Sequence, residues 1–545
     1  MLEERCLAHV DDAGFLRVLD DLRGRAVALD MRGVELQSSR WVQITDALTR
    51  DEQDGPDLEG ARLTQTTFGD GANLSGATFG DHADLGGATF GDHARLGGAT
   101  FGDGANLIWA TFGDGAYLGG ATFGDHAYLG RATFGDDANL SGATFGDHAI
   151  LDATFGDGAN LRGATFGDHA DLSEATFGDH ADLIVATFGD GANLSGATFG
   201  AHADLRAMWF VGDARLVGVS FVGQQRSLGP FYAEGVVDLY DAQFGAETRL
   251  EVDAAGVVLS RVVFGGPAEL RLLRARVEAS ETTFVQRATI GALDPARRPG
   301  IGERRTRAGL KQAAAAPAWL HSLRRTDVSG LTVAGVDVSA TRFAGAHGLE
   351  RLRVLDTSFA MHKGRQRVAE ERLLDEPDGE PTDDERRMGH PPCSAGQVAE
   401  IYRSLRKGRE DSSDAPGGDD LYVGEQLMRR RDLRERRPQT PATRARRTLL
   451  LLYGWIGGYG VRPARPCLTL LVLLAGATAL VNAVGLDKGS TTDALIFALR
   501  SMLLLPNTHH VVTTTAGDGL QVALRVLGPI LIALIALGVR SQVKR

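Results

Sequence analysis

An eleven-residue phrase, A-T-F-G-D-x-A-x-L-x-x, repeats almost without change between Thr67 and Phe221. Its first phenylalanines follow one another at a constant spacing of eleven residues, at Phe68, Phe79, Phe90, Phe101, Phe112, Phe123, Phe134 and Phe145. A unit this short cannot bury its own apolar residues, so each copy must stack on its neighbours and share one continuous core with them. The array therefore predicts a solenoid, in which function is expected on the surfaces and not in a catalytic pocket.

Within each copy the large apolar residues alternate between Phe and Leu, with steps of six and then five residues. Neither the helical period nor strict strand alternation produces these steps. Residues 72–74 (A-N-L) and 77–79 (A-T-F) place a small residue two positions before a central Leu or Phe. The chain resembles the pentapeptide-repeat family, whose five-residue unit has this arrangement. The plain five-residue step of that family is present at Leu58, Leu63 and Phe68, and again at Val328, Val333, Val338 and Phe343.

The resemblance implies a β-solenoid, specifically a right-handed, four-sided β-helix in which the central Leu or Phe and the Ala two residues before it point inward. Two copies, or 22 residues, would close one coil. The middle array departs from the family pattern by inserting one residue after every second face. The expected structural core is the series Phe68, Leu74, Phe79, Leu85, Phe90, Leu96, Phe101, Leu107, Phe112, Leu118, Phe123, Leu129 and Phe134.

The inserted residue is always Gly, His or Asp, and it follows Gly-Asp in nearly every copy. This restricted set predicts a corner with a positive φ angle, which Gly adopts freely and which Asp and His tolerate better than most residues. On that interpretation the histidines are structural. The alternative is a ladder of metal ligands resembling the calcium-binding repeats of β-rolls. Its candidate ligands are His82, His93, His126, His148, His169 and His180.

One copy of the repeat is a residue short, because Phe145 and Phe155 are only ten residues apart. Either the face from Leu151 to Phe155 has lost a residue, or Ile150 takes the inward position instead. In both cases we expect a local kink or shift of the solenoid at this copy.

The formal net charge of −12 conceals a strong asymmetry along the chain. Residues 57–221 contain 22 acidic and 6 basic residues, a net charge of −16, so the rest of the chain carries +4. The predicted acidic surface contains Asp81, Asp92, Asp103, Asp114, Asp125 and Asp136. At a rise of about 4.8 Å per coil, the array has roughly one net charge per 2 Å, close to the spacing of about 1.7 Å in duplex DNA.

Two interpretations of this acidic surface are open. Some pentapeptide-repeat proteins imitate DNA and inhibit DNA gyrase, so the resemblance and the charge density together suggest DNA mimicry as a hypothesis. The alternative is a surface that keeps the solenoid soluble, because Asp at a corner also satisfies backbone groups of the turn without any partner.

Catalysis and cofactor binding have no support in the sequence. Cys6, Cys393 and Cys467 lie far apart with no C-x-x-C pair, which argues against a disulfide framework, a zinc site and a thiol redox centre. The sequence contains no P-loop, dinucleotide-binding fingerprint, nucleophile elbow or H-E-x-x-H helix. Some similar membrane-attached proteins carry an oxidoreductase label, but no cofactor-binding residue here supports its transfer. We therefore expect no catalytic residue, no cofactor and no direct binding of nucleic acid.

The chain divides into four predicted segments. Apolar residues at helical spacing near the start predict an amphipathic helix that caps the solenoid. Residues 375–396 are rich in Asp, Glu, Pro and Gly and predict a flexible stretch within a linker that is otherwise helical and basic. The predicted bounds are 1–30 for the cap, 31–360 for the β-helix, 361–447 for the linker and 448–545 for the membrane domain. Within the β-helix they are 58–221 for the regular array, 222–291 for divergent coils, 292–325 for a basic insertion and 326–360 for the closing coils.

Residues 467–485 and 520–539 are apolar and about long enough to cross a bilayer, so two transmembrane helices are predicted. Arginines precede the first span, and the positive-inside rule then places the repeat domain and both termini in the cytoplasm. In its closing coils, in the pair of predicted helices before the membrane segment and in that segment itself, this chain resembles larger bacterial, membrane-attached members of the family. The basic residues expected at the membrane interface are Arg429, Arg430, Arg431, Arg444, Arg446 and Arg447.

These features predict a membrane-tethered scaffold that presents an acidic β-helix surface to an unidentified cytoplasmic protein through electrostatic complementarity. One alternative is a DNA-mimicking inhibitor of a gyrase-like, DNA-binding enzyme. Another is a two-span, channel-like membrane protein with a cytoplasmic regulatory solenoid. The short apolar helix from Asp493 to Leu505, followed by residues 506–510, permits that interpretation, although no T-V-G-Y-G filter follows it.

Overall fold

The computed structural model of the protein describes two compact units, Met1–His347 with Arg351–Ser358, and Gly348–Glu350 with Phe359–Arg545. The first unit is a β-solenoid with helices at its N-terminal end, and the second is mainly helical. The described residues are 10–23, 29–36, 38–49, 55–224, 228–293, 318–356, 359–362, 365–375, 393–411, 415–436, 439–460, 464–485, 490–506 and 515–543. Most of the predicted basic insertion, and residues 376–392 of the predicted flexible stretch, lie outside them.

Two parallel sheets run along the solenoid, and in the regular array each turn adds one Thr-Phe strand to each sheet. Among the described residues the first sheet has 12 strands, so the solenoid has about twelve turns. Its strands, in spatial order, are Glu35–Leu36, Thr67–Phe68, Thr89–Phe90, Thr111–Phe112, Thr133–Phe134, Thr154–Phe155, Thr176–Phe177, Thr198–Phe199, Ser220–Phe221, Gln243–Phe244, Val263–Phe264 and Thr283–Phe284.

The second sheet lies on the alternate copies of the repeat. Its strands are Thr78–Phe79, Thr100–Phe101, Thr122–Phe123, Thr144–Phe145, Thr165–Phe166, Thr187–Phe188, Trp209–Phe210, Leu228–Ala233, Thr248–Asp253, Ala268–Leu273, Ala288–Ala292, Leu331–Ala334 and Arg353–Leu355. A third sheet develops from single bridges in the later turns, with strands Ala192–Asn193, Ala214–Arg215, Val236–Asp238, Gly256–Val258, Arg276–Glu278 and Trp319–Ser322. The predicted β-solenoid of pentapeptide-like repeats is confirmed.

The core of the array consists of stacked Phe and Leu side chains, with the small Ala residues between them. Phe rings one turn apart are nearly parallel, as in Phe101 and Phe123, whose centroids are 4.6 Å apart at an angle of 1°. Thr points outward from each strand while Phe points inward, as the two-residue period of a strand requires. All of the expected core residues from Phe68 to Phe134 are at most 1% exposed.

The number of residues per turn changes along the solenoid without breaking the Phe stack. Partners in the first sheet are 22 residues apart at Phe112 and Phe134, 21 apart at Phe134 and Phe155, and 20 apart at Phe244 and Phe264. Twenty residues correspond to the plain five-residue step of four faces. The solenoid therefore accommodates the eleven-residue copies by enlarging its corners, not by changing its core.

The short copy of the repeat loses its residue at one corner. Leu151 remains fully buried, whereas Ile150 is only partly buried, so the inward position is unchanged. The rings of Phe134 and Phe155 still stack at 4.8 Å. The expected kink thus amounts to a shift of the pairing from 22 to 21 residues at this turn.

The inserted residues adopt the left-handed conformation that their restricted identities predict. The φ angle is +55° at His82, +56° at Asp137 and +66° at Gly71, and every other inserted residue also has a positive φ. The corner after Leu has a second positive φ, often at Gly, as at Gly98, except in the short copy after Leu151. The full-length copies therefore have two corners of the same left-handed backbone conformation.

Two helices cover the N-terminal end of the solenoid. They are α1 (Asp12–Arg23) and α2 (Ser38–Leu48), and the strand Glu35–Leu36 between them forms the first rung of the first sheet. Trp41 of α2 is 1% exposed and packs edge-on against the ring of Phe68 at 4.8 Å. The sequence predicted α1 but not α2, the helix whose Trp41 closes the apolar end of the Phe stack.

The second unit begins with an antiparallel hairpin, Ala360–His362 and Arg365–Arg367, followed by helices. The helices are α3 (Ala369–Asp375), α4 (Ala395–Asp411), α5 (Ala415–Glu435), α6 (Pro441–Gly457), α7 (Ala464–Leu480), α8 (Thr491–Met502) and α9 (Thr515–Val543). A short 3-10 turn, Gly458–Gly460, lies between α6 and α7, and a π turn, Val481–Gly485, extends α7.

By length and composition, two helical segments of the described chain are able to cross a membrane: Ala464–Ala483, with 20 residues, and Thr515–Ala536, with 22. Their surfaces are apolar and exposed, as at Val472 and Val522, each 64% exposed. Helix α8 packs against both, since Met502 lies in one cluster with Ala477 and Leu524. With 12 residues α8 is too short to cross a bilayer. Residues 507–510, part of the channel-like interpretation, lie outside the described residues.

Candidate interaction surface

The aspartates of the Gly-Asp corners form two continuous ladders along the solenoid. In each ladder the Oδ1 atom of one Asp accepts the backbone N–H of the residue one turn further on. The Asp103 N–H, for example, donates to Asp81 Oδ1 at 3.0 Å, and the Asp125 N–H to Asp103 Oδ1 at 2.9 Å. We call these columns the acidic ladders. The first contains Asp70, Asp92, Asp114, Asp136, Asp157 and Asp179, and the second contains Asp81, Asp103, Asp125, Asp147, Asp168, Asp190 and Asp213.

The glycine of each Gly-Asp pair belongs to the same device. A Cβ atom at Gly102 would lie 2.3 Å from Asp81 Oδ1, and one at Gly146 would lie 2.4 Å from Asp125 Oδ1. Real side chains do not approach so closely, so a carboxylate can reach the next backbone N–H only where the next turn has glycine. This explains at the atomic level why Gly and Asp recur together at these corners.

The predicted acidic residues alternate between the two ladders. Asp92, Asp114 and Asp136 belong to the first ladder, and Asp81, Asp103 and Asp125 to the second. All six are exposed. Because stacked rings set a rise of 4.4 to 5.2 Å per turn, each ladder places one carboxylate about every 5 Å. The structure also extends both ladders through residues that the sequence analysis did not single out, such as Asp157 in the first and Asp147 in the second.

A substitution at Asp125 separates the structural role of the ladder from its charge. Asp125→Ala removes the acceptor for the Asp147 N–H, now 2.8 Å away, and is expected to lower the free energy of unfolding by about 1 kcal/mol. Asp125→Asn retains an oxygen acceptor and is expected to cost much less, although it removes the same charge. Thermal denaturation followed by circular dichroism measures both. Equal losses would mean that the charge, and not the hydrogen bond, stabilises the corner.

The inserted histidines stack on one another beside the acidic ladders. The rings of His126, His148 and His169 lie one above another, with centroids 5.0 Å apart at each step. Where the next turn has an inserted glycine, the ring lies over it, as His82 lies over Gly104. In the described part of the chain no three His, Cys, Asp or Glu side chains are grouped so that they could hold a metal ion. The described residues thus bring no such group together around the six candidate histidines.

The predicted membrane-interface arginines have different surroundings. Arg429 pairs with Glu425 at 2.6 Å, and Arg431 pairs with Asp375 and Glu435 at 2.5 and 2.8 Å. Arg430 is partly buried near Tyr459. On α6, by contrast, Arg444 and Arg446 are exposed and Arg447 is partly exposed. The arginines of α6 are thus available at a surface, whereas Arg429 is paired within α5 and Arg431 joins α5 to the end of α3.

Helix α6 combines these arginines with an exposed apolar end. Thr440 caps its N-terminus by accepting the Thr443 N–H at 3.2 Å. Beyond the arginines, Leu449 is 67% exposed and Trp455 is 74% exposed. A helix with cationic side chains followed by exposed Leu and Trp is typical of the water–lipid interface.

A buried ionic cluster in the second unit was missed by the sequence analysis, which predicted a basic linker there. Glu371 accepts hydrogen bonds from Arg365 and from the Tyr402 hydroxyl, and Arg367 lies 3.5 Å from it. The Tyr402 hydroxyl in turn accepts the Val368 N–H at 3.0 Å. Burial and the neighbouring Glu371 carboxylate raise the pKa of the Tyr402 hydroxyl, which therefore remains a donor. Only the concentration of charged residues at 365–375 hinted at this cluster in the sequence.

The comparison with known protein families agrees with the architecture. A family model described as pentapeptide repeats (9 copies) matches the chain in overlapping segments, residues 54–100, 85–133, 109–152, 129–176 and 161–209. No curated protein matches the chain. The matched residues are those whose Phe and Leu side chains fill the solenoid core. Residues 54–209 of this chain are therefore pentapeptide repeats, and two candidate membrane-spanning helices lie nearer the C-terminus.

Proposed function

We propose that the protein is a membrane-anchored scaffold whose acidic ladders bind a basic region of a cytoplasmic protein. The observation that carries this proposal is the pair of ladders, which hold exposed carboxylates at a fixed interval along a rigid core. Because the backbone of the next turn fixes each carboxylate, little conformational entropy is lost when a cation binds. Complementary charge would mainly accelerate association and select basic partners.

The membrane anchor in this proposal consists of α7 and α9. Their apolar, exposed surfaces suit a lipid environment, and the cationic and apolar ends of α6 suit the adjacent headgroup region. The arginines that precede α7 favour the cytoplasmic side under the positive-inside rule. In this arrangement the repeat region is cytoplasmic, and its partner is held near the membrane.

The binding test uses a variant in which ladder charge is removed but the ladder hydrogen bonds are kept. We define the ladder-neutral variant as the replacement by Asn of Asp81, Asp92, Asp125, Asp147, Asp168 and Asp179, each of which precedes His. The full chain, in nanodiscs of zwitterionic lipid, is titrated with a labelled peptide of Lys and Ser at several salt concentrations. We expect the wild type to bind with an affinity that falls steeply with salt, and the ladder-neutral variant to bind far more weakly. Equal affinities for the two proteins would refute the proposal.

DNA mimicry is a second candidate, favoured by one observation. The net charge of −16 on residues 57–221 is spread over about seven turns, which gives an axial charge density near that of duplex DNA. This candidate requires that the partner be a DNA-binding enzyme. It predicts that the wild-type protein, and not the ladder-neutral variant, inhibits DNA supercoiling by gyrase at low salt. Absence of inhibition at every salt concentration would exclude it and leave the scaffold proposal unaffected.

A further inference from the structure

The repeats of the array provide an internal comparison, because equivalent positions in successive turns face the same environment. One corner of the solenoid contains Gln65, Gly87, Trp109 and Arg131 in consecutive turns, joined by backbone hydrogen bonds such as Trp109 N–H to Gly130 O at 3.1 Å. Later turns have Glu174, Gly196 and Gly218 at this corner. Trp109 and Arg131 therefore occupy positions where a glycine is sufficient for the fold.

The backbone at Trp109 is unfavourable for a large side chain. Its φ angle is +62°, in the left-handed region, and that of Arg131 is +57°. In this conformation Cβ crowds the neighbouring carbonyl, so a residue with a large side chain is less favourable there than glycine. Burial does not compensate at Trp109, since its side chain is 58% exposed. Other corner residues, such as Glu174 and Val185, share this backbone conformation, so what distinguishes Trp109 is a large, exposed aromatic side chain at a corner where glycine is sufficient.

One large side chain contacts Trp109, and another lies on the adjoining face. The Arg131 guanidinium lies 4.8 Å from the centroid of its ring. On the face before this corner, Tyr128 is 38% exposed and pairs with Asn106 and Ile150 in the adjoining turns. Most other turns of this face carry a charged or amide residue at the position of Tyr128, such as Asp84 and Asp171. We call Trp109, Tyr128 and Arg131 the aromatic patch.

The aromatic patch adjoins the second acidic ladder. Asn106 and Tyr128 lie on one face of the solenoid, and each follows a ladder aspartate, Asp103 or Asp125, by three residues. The second ladder therefore forms one edge of this face, and the corner that contains Trp109 forms the other. The short copy of the repeat, which contains Asp152, lies next to Arg131 at this corner, and the Arg131 N–H donates to Asp152 O at 3.1 Å. An aromatic platform beside a row of carboxylates is complementary to a protein segment that carries both cations and large apolar side chains.

We infer that the aromatic patch is the specificity site of the acidic solenoid, and that it receives aromatic or aliphatic side chains of the basic partner segment while the second ladder holds its cations. This inference rests on the proposed function. Trp, Tyr and Arg are the residues that most often dominate the energy of protein interfaces. The ladders alone would bind any polycation, whereas the patch restricts binding to partners whose cations are interspersed with apolar residues.

Trp109→Gly tests the inference, and Val185→Gly is its matched control. Both residues follow Leu-Ile and precede Ala-Thr-Phe, both have positive φ angles, +62° and +55°, and both are exposed, at 58% and 40%. Val185 lies at the other type of corner, in line with Gly163 and Ala207. Because glycine adopts a positive φ without strain, neither substitution should lower the melting temperature. A structural role of Trp109 would instead appear as a loss of stability.

The binding experiment uses the full chain in zwitterionic nanodiscs and two peptides of equal charge, one of Lys and Phe and one of Lys and Ser, with empty nanodiscs as the blank. We expect Trp109→Gly to lower the affinity for the Lys–Phe peptide at least about tenfold and to leave the affinity for the Lys–Ser peptide unchanged. Val185→Gly should change neither affinity. If Trp109→Gly affects neither peptide or both equally, the inference is wrong. If neither peptide distinguishes the wild type from the ladder-neutral variant, the proposed function fails and the inference fails with it.

Discussion

Phe123→Ala is expected to lower the free energy of unfolding of the neighbouring turns by about 3 to 5 kcal/mol. Phe123 is 1% exposed, and its ring stacks on Phe101 at 4.6 Å and on Phe145 at 4.8 Å. The substitution leaves a cavity in the middle of a continuous column that the closely spaced turns above and below cannot fill. Hydrogen exchange of the full chain, read by mass spectrometry, measures this loss as faster exchange of the backbone amides around Phe123.

The loss should be local, because each turn of a solenoid contacts only its neighbours. Amides between about residues 100 and 146 should lose protection by on the order of two to four powers of ten, while those of the second unit should not change. Thr122→Ala is the control, since Thr122 is the exposed residue of the same strand and should cost less than about 0.5 kcal/mol. Similar losses for Phe123→Ala and Thr122→Ala would contradict the stacked-core description.

Glu371→Gln is expected to destabilise the second unit by about 3 to 5 kcal/mol, because it leaves a buried guanidinium without its carboxylate. The side chains of Glu371 and Arg365 are only 6% and 10% exposed. Gln can still accept a hydrogen bond from the Tyr402 hydroxyl, so the loss of stability would reflect the missing negative charge. Urea denaturation of the full chain, followed by hydrogen exchange of α3, α4 and α5, measures the effect.

An exposed pair on the same unit provides the control for this prediction. Glu400 lies 3.6 Å from Arg403, and their side chains are 65% and 58% exposed. Glu400→Gln should change stability by less than about 1 kcal/mol, because water already solvates both charges. If the two substitutions had equal effects, the cluster around Glu371 would not be the buried ionic centre described above.

The fold of the repeat region was predictable because every constraint recurs in each copy. Constant spacing identified the stacked core, and the restriction of the inserted position to Gly, His and Asp identified a positive-φ corner. These patterns depend on local backbone geometry, which a sequence reveals when it is repeated. The sequence indicated that Asp satisfies backbone groups of its own turn, but it did not reveal that each Asp Oδ1 accepts a backbone N–H of the next turn, about 22 residues away.

The remaining features escaped prediction for a different reason, because they occur once. Trp41 reads as an ordinary helical residue until the structure places it on the end of the Phe stack. Glu371 and Arg365 resemble ordinary charged residues of a linker, because a single buried ion pair produces no repeating pattern in the sequence. Trp109 was hidden by the regularity around it, and its large, exposed side chain became meaningful only when it was compared with the glycines of equivalent turns, such as Gly87 and Gly196.

The central claim is that the acidic ladders hold a basic protein at the membrane, and cross-linking in intact cells tests it most directly. A photoreactive phenylalanine replaces Tyr128, an exposed aromatic residue beside the second ladder, in both the wild-type and the ladder-neutral background. Cross-linked proteins are then identified by mass spectrometry from the membrane fraction. The account predicts a basic protein that is cross-linked to the wild type and lost from the ladder-neutral variant. Identical cross-links in the two backgrounds, or none in either, would contradict it.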